Sequence, residues 1–354
     1  MNDLQKKWLI TGGVFLAAVA LTVLAALGIS RMTGTKRSEE PETEVAGSTE
    51  PSETEAPETD TTEAEQTEPS STEPVTEPST EETSSEEETE STEPETEPPQ
   101  PVREIHRLSA EEIAEIRANY SDTEQGFYIS GSSDRDDQNR ANSCVTRDNL
   151  LNSSIGNVVI FGPETEQPTV YFSFILTNEF APNTEDLLNI LSNLNVKALF
   201  LTDKPYVEHN LGLVQRMIAE GHEIGSIGSS LPDGGLVKLG LEAMTEDIYN
   251  FHTFMQETCG YNMRKFYFSY DVYTEQAVAA VVKMGYQVVF YSANYVDYDH
   301  YKNIDVNNLL VSLEYQLHPG CIYSLHTTNR ASIEVMPQIV PYLCEKGYTI
   351  GKLP

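Results

Sequence analysis

The side chains in this chain best suited to do chemistry are His326 and Asp297. His326 closes the apolar run Cys321–His326, and Asp297 lies in a tyrosine-rich stretch just before it. An imidazole at a strand end can act as general acid or base, and a carboxylate can orient it or serve in a charge network. Positioned acid–base catalysis contributes only about 10²–10⁴-fold. The plain alternatives are a histidine kept for hydrogen bonding and an ordinary loop carboxylate. Tyr267, Phe268, Tyr270, Tyr273, Tyr291, Tyr295 and Tyr298 form a second group. Aromatic faces can stack on sugar rings while tyrosine hydroxyls bond to them, so Tyr267, Tyr295 and Tyr298 are candidates for a glycan cleft. The competing reading is bulk that fills a core. Cys144, Cys259, Cys321 and Cys344 match no zinc spacing. Cys321 and Cys344 fall in apolar segments, where buried free thiols are expected.

Positioning these groups requires regular elements, and the chain from Thr169 onward supplies them. Short runs rich in Val, Ile, Phe and Tyr predict strands at Thr169–Phe174, Lys197–Thr202, Glu223–Gly228, Lys265–Tyr270, Gln287–Ser292, Cys321–His326 and Tyr348–Leu353. Helical patterns alternate with them at Thr184–Leu194, Glu208–Glu220, Met244–Thr258, Thr274–Met284, Val306–His318 and Ile333–Lys346. Pro337 and Pro341 weaken the last helix. Regular βα alternation argues for an α/β fold with a parallel sheet. This many units favours a barrel, with a doubly wound sheet as the alternative.

The amino-terminal third is built differently. Trp8 to Ser30 contains no charged side chain, and a helix of that length covers roughly 34 Å. That exceeds a hydrocarbon core of about 30 Å, and it is longer than a signal-peptide apolar region, so 8–30 reads as a membrane anchor after a short tail at 1–7. Basic residues flank both ends, so charge does not set its orientation. Residues 38–100 hold 23 Asp or Glu and no Lys or Arg, in a background of Thr, Ser and Pro. Such a tract cannot bury a core and should stay extended as a stalk. The remaining 33 acidic residues face all 22 basic ones, so no basic nucleic-acid footprint exists. Residues 103–168 read as a lead-in segment, with one helix at Ala110–Ala118 capped by Ser109 and Glu112.

The run Gly221-His222-Glu223-Ile224-Gly225, continuing to Pro232-Asp233, resembles the second motif of the NodB-like polysaccharide deacetylases. Asn195–Phe200 resembles that family's second strand. Gly285–Tyr298 together with His318–Thr327 is similar to the branch that deacetylates muramic acid in peptidoglycan. The resemblance covers 169–354. It implies a deformed (β/α) barrel, an extracellular domain and metal-dependent N-deacetylation of an amino-sugar polymer.

Residue by residue, the resemblance also implies a lost metal set. The family's metal ligands fall at Leu176, Ile227 and Leu231, and none of these side chains has a lone pair. The family's base position is aliphatic, although a register slip could bring Asn178 or Glu179 near the site. The arginine that orients that base becomes Tyr267. Asp297 matches the aspartate expected to pair with that arginine, and His326 matches the general acid. The family's chemistry needs a Lewis acid to lower the pKa of water from about 15.7 towards 7. No metal or cofactor is therefore expected. The expectation is a single-pass cell-membrane protein whose extracellular, catalytically inactive domain binds wall glycan or an envelope protein. The alternative is an active deacetylase with a rearranged site at Asn178, Glu179 and His326.

Overall fold

The structure, a computed structural model, describes residues 104–131 and 133–354. The anchor expected at 8–30 and the stalk at 38–100 lie outside the described residues. Among the described residues, no helix is long and apolar enough to cross a membrane.

Eleven strands run in chain order among the described residues. They are β1 (Gln125–Gly126), β2 (Val158–Val159), β3 (Thr169–Leu176), β4 (Leu199–Thr202), β5 (Glu223–Ser226) and β6 (Lys265–Phe266), followed by β7 (Val272–Tyr273), β8 (Gln287–Val289), β9 (Ala293–Asn294), β10 (Ile322–His326) and β11 (Thr349–Ile350). Nine of them form one sheet in the order β2-β8-β6-β5-β4-β3-β10-β9, with β11 beside β3. Every pair in it is parallel. The order has two free ends, β2 and β9, so the deformed (β/α) barrel expected is a curled, open half-barrel. The strands at both ends are two residues long.

The centre of the sheet is the most apolar part. All eight residues of β3 and all four of β4 are buried. Both faces of a parallel sheet are covered by its crossover helices, so its strands read as continuous apolar runs. Phe174 stacks on Phe200 at 5.7 Å, and Phe172 stacks on Tyr323 at 5.3 Å. The helix Asn183–Asn193 buries Leu187, Leu188 and Leu191 against this layer.

Several expected elements change at their ends. The helix expected at Glu208–Glu220 is two, Lys204–His209 and Leu211–Ala219, broken at Asn210. The last helix divides into Arg330–Glu334 and Met336–Glu345, with Pro337 in the first turn of the second. The lead-in is part of the fold, since β2 pairs with β8 at the sheet edge. Its first helix, Ala110–Asn119, carries the full capping box of Ser109 and Glu112. Its second, Asn142–Ser154, buries only Cys144 and Leu151, so a helical stripe was not legible there. Cys321 is buried as expected, but Cys344 is exposed, because it lies on the outer face of its helix.

Three histidines are buried away from the carboxyl ends of the strands. Burial pushes the imidazoles of His222, His252 and His318 down from 6.5 to about 4. Unfolded, each takes up a proton at higher pH, so the stability from burying them neutral is lost as pH falls from 6.5 towards 4. Asp203 opposes this, because burial holds its carboxyl up to about 6. The half-buried carboxyls of Glu223 and Asp271 are also raised and share its sign. The three histidines carry the larger displacement. The urea midpoint should therefore be lower at pH 5 than at pH 7, and His222→Gln should shrink the difference. A midpoint that held or rose on acidification would contradict this account.

Candidate functional site

Loops at the carboxyl ends of the strands enclose a cleft of about 710 Å³. β10 delivers His326 to it, and the segment after β9 delivers Tyr295, Tyr298, Asp299, His300 and Tyr301. This is the end of a parallel sheet where ligands bind, because the strands stop there and the loops diverge.

Asp297 is fully buried and organises this end of the sheet. Its Oδ2 accepts from the His326 backbone N–H at 2.8 Å and from Ser332 Oγ at 2.6 Å. Its Oδ1 lies 2.8 Å from His326 Nδ1. A carboxylate can only accept, so Nδ1 carries the hydrogen and Nε2 is the nitrogen left for an incoming group. The resemblance implied an arginine partner for Asp297. The partner is His326, because the loop after β9 folds back under β10 and presents the carboxylate to its last residue.

Tyr267 also differs from expectation. Its ring is 5 % exposed and packs edge-on to Phe290 at 6.4 Å, so it is not a free stacking surface. Its hydroxyl donates to Asp271 Oδ1 at 2.8 Å, and Tyr291 donates to Asp271 Oδ2 at 2.8 Å. Burial raises the Asp271 carboxyl above its ordinary value, while the two tyrosine hydroxyls act to lower it. Asp271 is half-buried at the cleft wall and was not singled out from the sequence. The strand expected at Lys265–Tyr270 stops at Phe266, and Tyr270 and Asp271 take positive φ of 61° and 57°. Two successive non-glycine residues in the left-handed region cost about 1–3 kcal/mol each and are the kind of strain held at functional sites. The only sequence signal was a carboxylate ending an aromatic run. Ser332 gave no signal, since its role depends on a helix packed from far along the chain.

The other candidates divide between cleft and core. Ile175, Ile227 and Leu231 line the cleft, whereas Leu176 is buried without lining it. Gly228 holds the loop that carries Ile227 and Leu231. Its φ is +106°, and a Cβ there would stand 2.3 Å from Leu236 Cδ1. Asp247 pins the same loop by accepting from Ser229 N at 2.6 Å and Ser230 Oγ at 2.7 Å. Asn178 lines the cleft, but Glu179 does not. The Glu179 carboxylate is taken by Thr184 Oγ1 at 2.5 Å and Tyr206 OH at 2.8 Å. Tyr295 lines the cleft, and Tyr298 is 64 % exposed with its ring edge-on to His326 at 6.1 Å.

The donor set does not fit a divalent ion. Among the described residues, no group of three His, Cys, Asp or Glu side chains is placed to hold one. Ile175, Ile227 and Leu231 give the cleft wall its aliphatic part. What remains is an oriented histidine, one carboxylate held by two tyrosines, and an aromatic rim. Replacing Asp297 by Ala would leave three donors without an acceptor. At about 1–3 kcal/mol for each orphaned buried donor, Asp297→Ala should lower stability by several kcal/mol, against about 1 for Ser332→Ala. Urea denaturation of both variants measures this, and near-equal losses would show that Asp297 does not organise the strand end.

Comparison with known proteins is consistent with this geometry. The chain is 27 % identical over 196 residues to the peptidoglycan-N-acetylmuramic acid deacetylase PdaA of Bacillus subtilis, covering 53 % of this chain and 71 % of that protein. It is 25 % identical over 200 residues to a chitooligosaccharide deacetylase of Bradyrhizobium, covering 51 % and 89 %. The solved structure of Bacillus subtilis PdaA, a family 4 carbohydrate esterase, superposes with a TM-score of 0.58 at 22 % identity, over 65 % of this chain and 95 % of that one. A mutant of a pseudoenzyme of the same esterase family, with restored enzymatic activity, shares the fold at a TM-score of 0.51 and 17 % identity, over 56 % and 71 %. Residues 162–289 match the sequence profile of the polysaccharide deacetylase family, and the chain carries a polysaccharide deacetylase domain.

Proposed function

We propose that this protein binds cell-wall glycan through its deacetylase-like domain without hydrolysing it, held at the outer face of the membrane by segment 8–30 and spaced from it by the acidic tract. The observation that carries this reading is the cleft lining. Ile175, Ile227 and Leu231 offer no metal donor, while Tyr270, Tyr298 and Tyr301 present exposed rings around the same opening. Relatives named as peptidoglycan and chitooligosaccharide deacetylases make a β-linked amino-sugar polymer the favoured ligand. An envelope protein docked on the aromatic rim is the other occupant compatible with it.

The energetics favour binding over hydrolysis. Enzymes accelerate reactions by about 10⁶–10¹⁷-fold, and slow amide hydrolysis sits high in that demand. His326 as acid or base supplies only about 10²–10⁴ of it. Ring stacking needs no such machinery. One observation favours a second reading, an active deacetylase with a rearranged site. The Asp297–His326 pair is oriented as a general acid or base would be, and Asn178 lines the same cleft.

Two assays on the full-length protein separate these readings. Retention on purified sacculi, with no acetate released from peptidoglycan or chitooligosaccharide when zinc, cobalt or nickel is added, is the expected result. Stoichiometric bound zinc together with acetate release abolished by His326→Ala would overturn it.

A further inference from the structure

We infer that the cleft selects amino-sugar units bearing a free primary ammonium, the de-N-acetylated form of the glycan, over the N-acetylated form. The inference rests on the reading of the cleft as a glycan site and adds a choice of substituent. The wall is rich in acceptors, and its only basic side chains are the imidazoles of His300 and His326. Of the residues lining it, Asp271 and Asp299 are carboxylates, and none is Lys or Arg. Asp271 forms no ion pair with a Lys or Arg among the described residues. Its hydrogen bonds come from the neutral hydroxyls of Tyr267 and Tyr291, and the imidazole of His326 is the one basic group that acts on its charge. A half-buried carboxylate without a Lys or Arg partner is stabilised by any cation that can reach it, and the reduced dielectric strengthens that attraction.

Two further features point to a ligand with N–H donors. Ser269, 8 % exposed, lines the same cleft two residues before Asp271, and its Oγ is buried without a hydrogen-bond partner. His326 donates from Nδ1 to Asp297, which leaves Nε2 as an acceptor in the neutral ring. An ammonium has three donors and no acceptor, which matches a carboxylate, a hydroxyl and an imidazole nitrogen. An N-acetyl group instead brings a carbonyl acceptor and a methyl in place of the charge. The rings of Tyr270 and Tyr298, 57 % and 64 % exposed, are available for the pyranose face and for cation–π contact with the ammonium.

The test compares glucosamine tetramer with N-acetylglucosamine tetramer, titrated calorimetrically into the full-length protein and its variants. The acidic tract at 38–100 attracts any polycation, so the variants carry the argument. The expected result is a preference for the free-amine tetramer of about tenfold or more, falling to near parity in Asp271→Asn and weakened in Ser269→Ala. Asp299→Asn, at an exposed site, should weaken it without disturbing the fold, which guards against misfolding of the Asp271 variant. Equal affinity for both tetramers overturns the inference and leaves glycan binding standing. No binding of either overturns both. A preference unchanged in all three variants places it on the acidic tract and overturns the inference.

Discussion

The carboxylate of Asp297 sits where three parts of the chain meet: the loop after β9, the last residue of β10 and the helix Arg330–Glu334. It accepts from the backbone of His326, from the imidazole of the same residue and from the hydroxyl of Ser332. Fully buried, it needs those donors in place of the water it gives up. The same bonds fix the ring of His326 and the path by which Tyr295, Tyr298 and Asp299 reach the cleft. One desolvated carboxylate thus sets both the local fold and the orientation of the chain's most capable acid–base group.

The sheet supplies the frame on which this interaction acts. Its buried centre, β3 and β4, is fixed by stacked aromatic rings and continuous apolar runs, while its edges are pairs of residues. A rigid centre with short edges allows loops to vary at the carboxyl ends without loss of the core. The cleft is lined by Ile175 of β3, by Ser324 and His326 of β10, and by loop segments. Among the loops are the Gly228 loop, the left-handed pair at Tyr270 and Asp271, and the stretch after β9.

The domain has the fold of the polysaccharide deacetylases, and its cleft has an aliphatic and aromatic lining. A Lewis-acid site needs lone pairs converging on one point, and Ile175, Ile227 and Leu231 provide none. In their place stands a carboxylate with neutral partners, an unpartnered serine hydroxyl and exposed tyrosine rings.

The sequence by itself determined the alternation of strands and helices, the parallel sheet, the aliphatic residues around the cleft and the place of His326 at a strand end. These are local properties, written in apolar periodicity, Gly and Pro positions and residue type. Only the tertiary structure decided that the sheet stays open, that Asp297 serves His326, that Glu179 is spent on Thr184 and Tyr206, and that the Tyr267 ring is buried in the cleft wall. It also decided that Asp271, passed over in an aromatic run, turns into the cleft. Each of these depends on hydrogen bonds between residues far apart in the chain or on a backbone turn forced by packing. No window of sequence carries those pairings, because hydrogen-bond satisfaction is settled only when the separate elements meet.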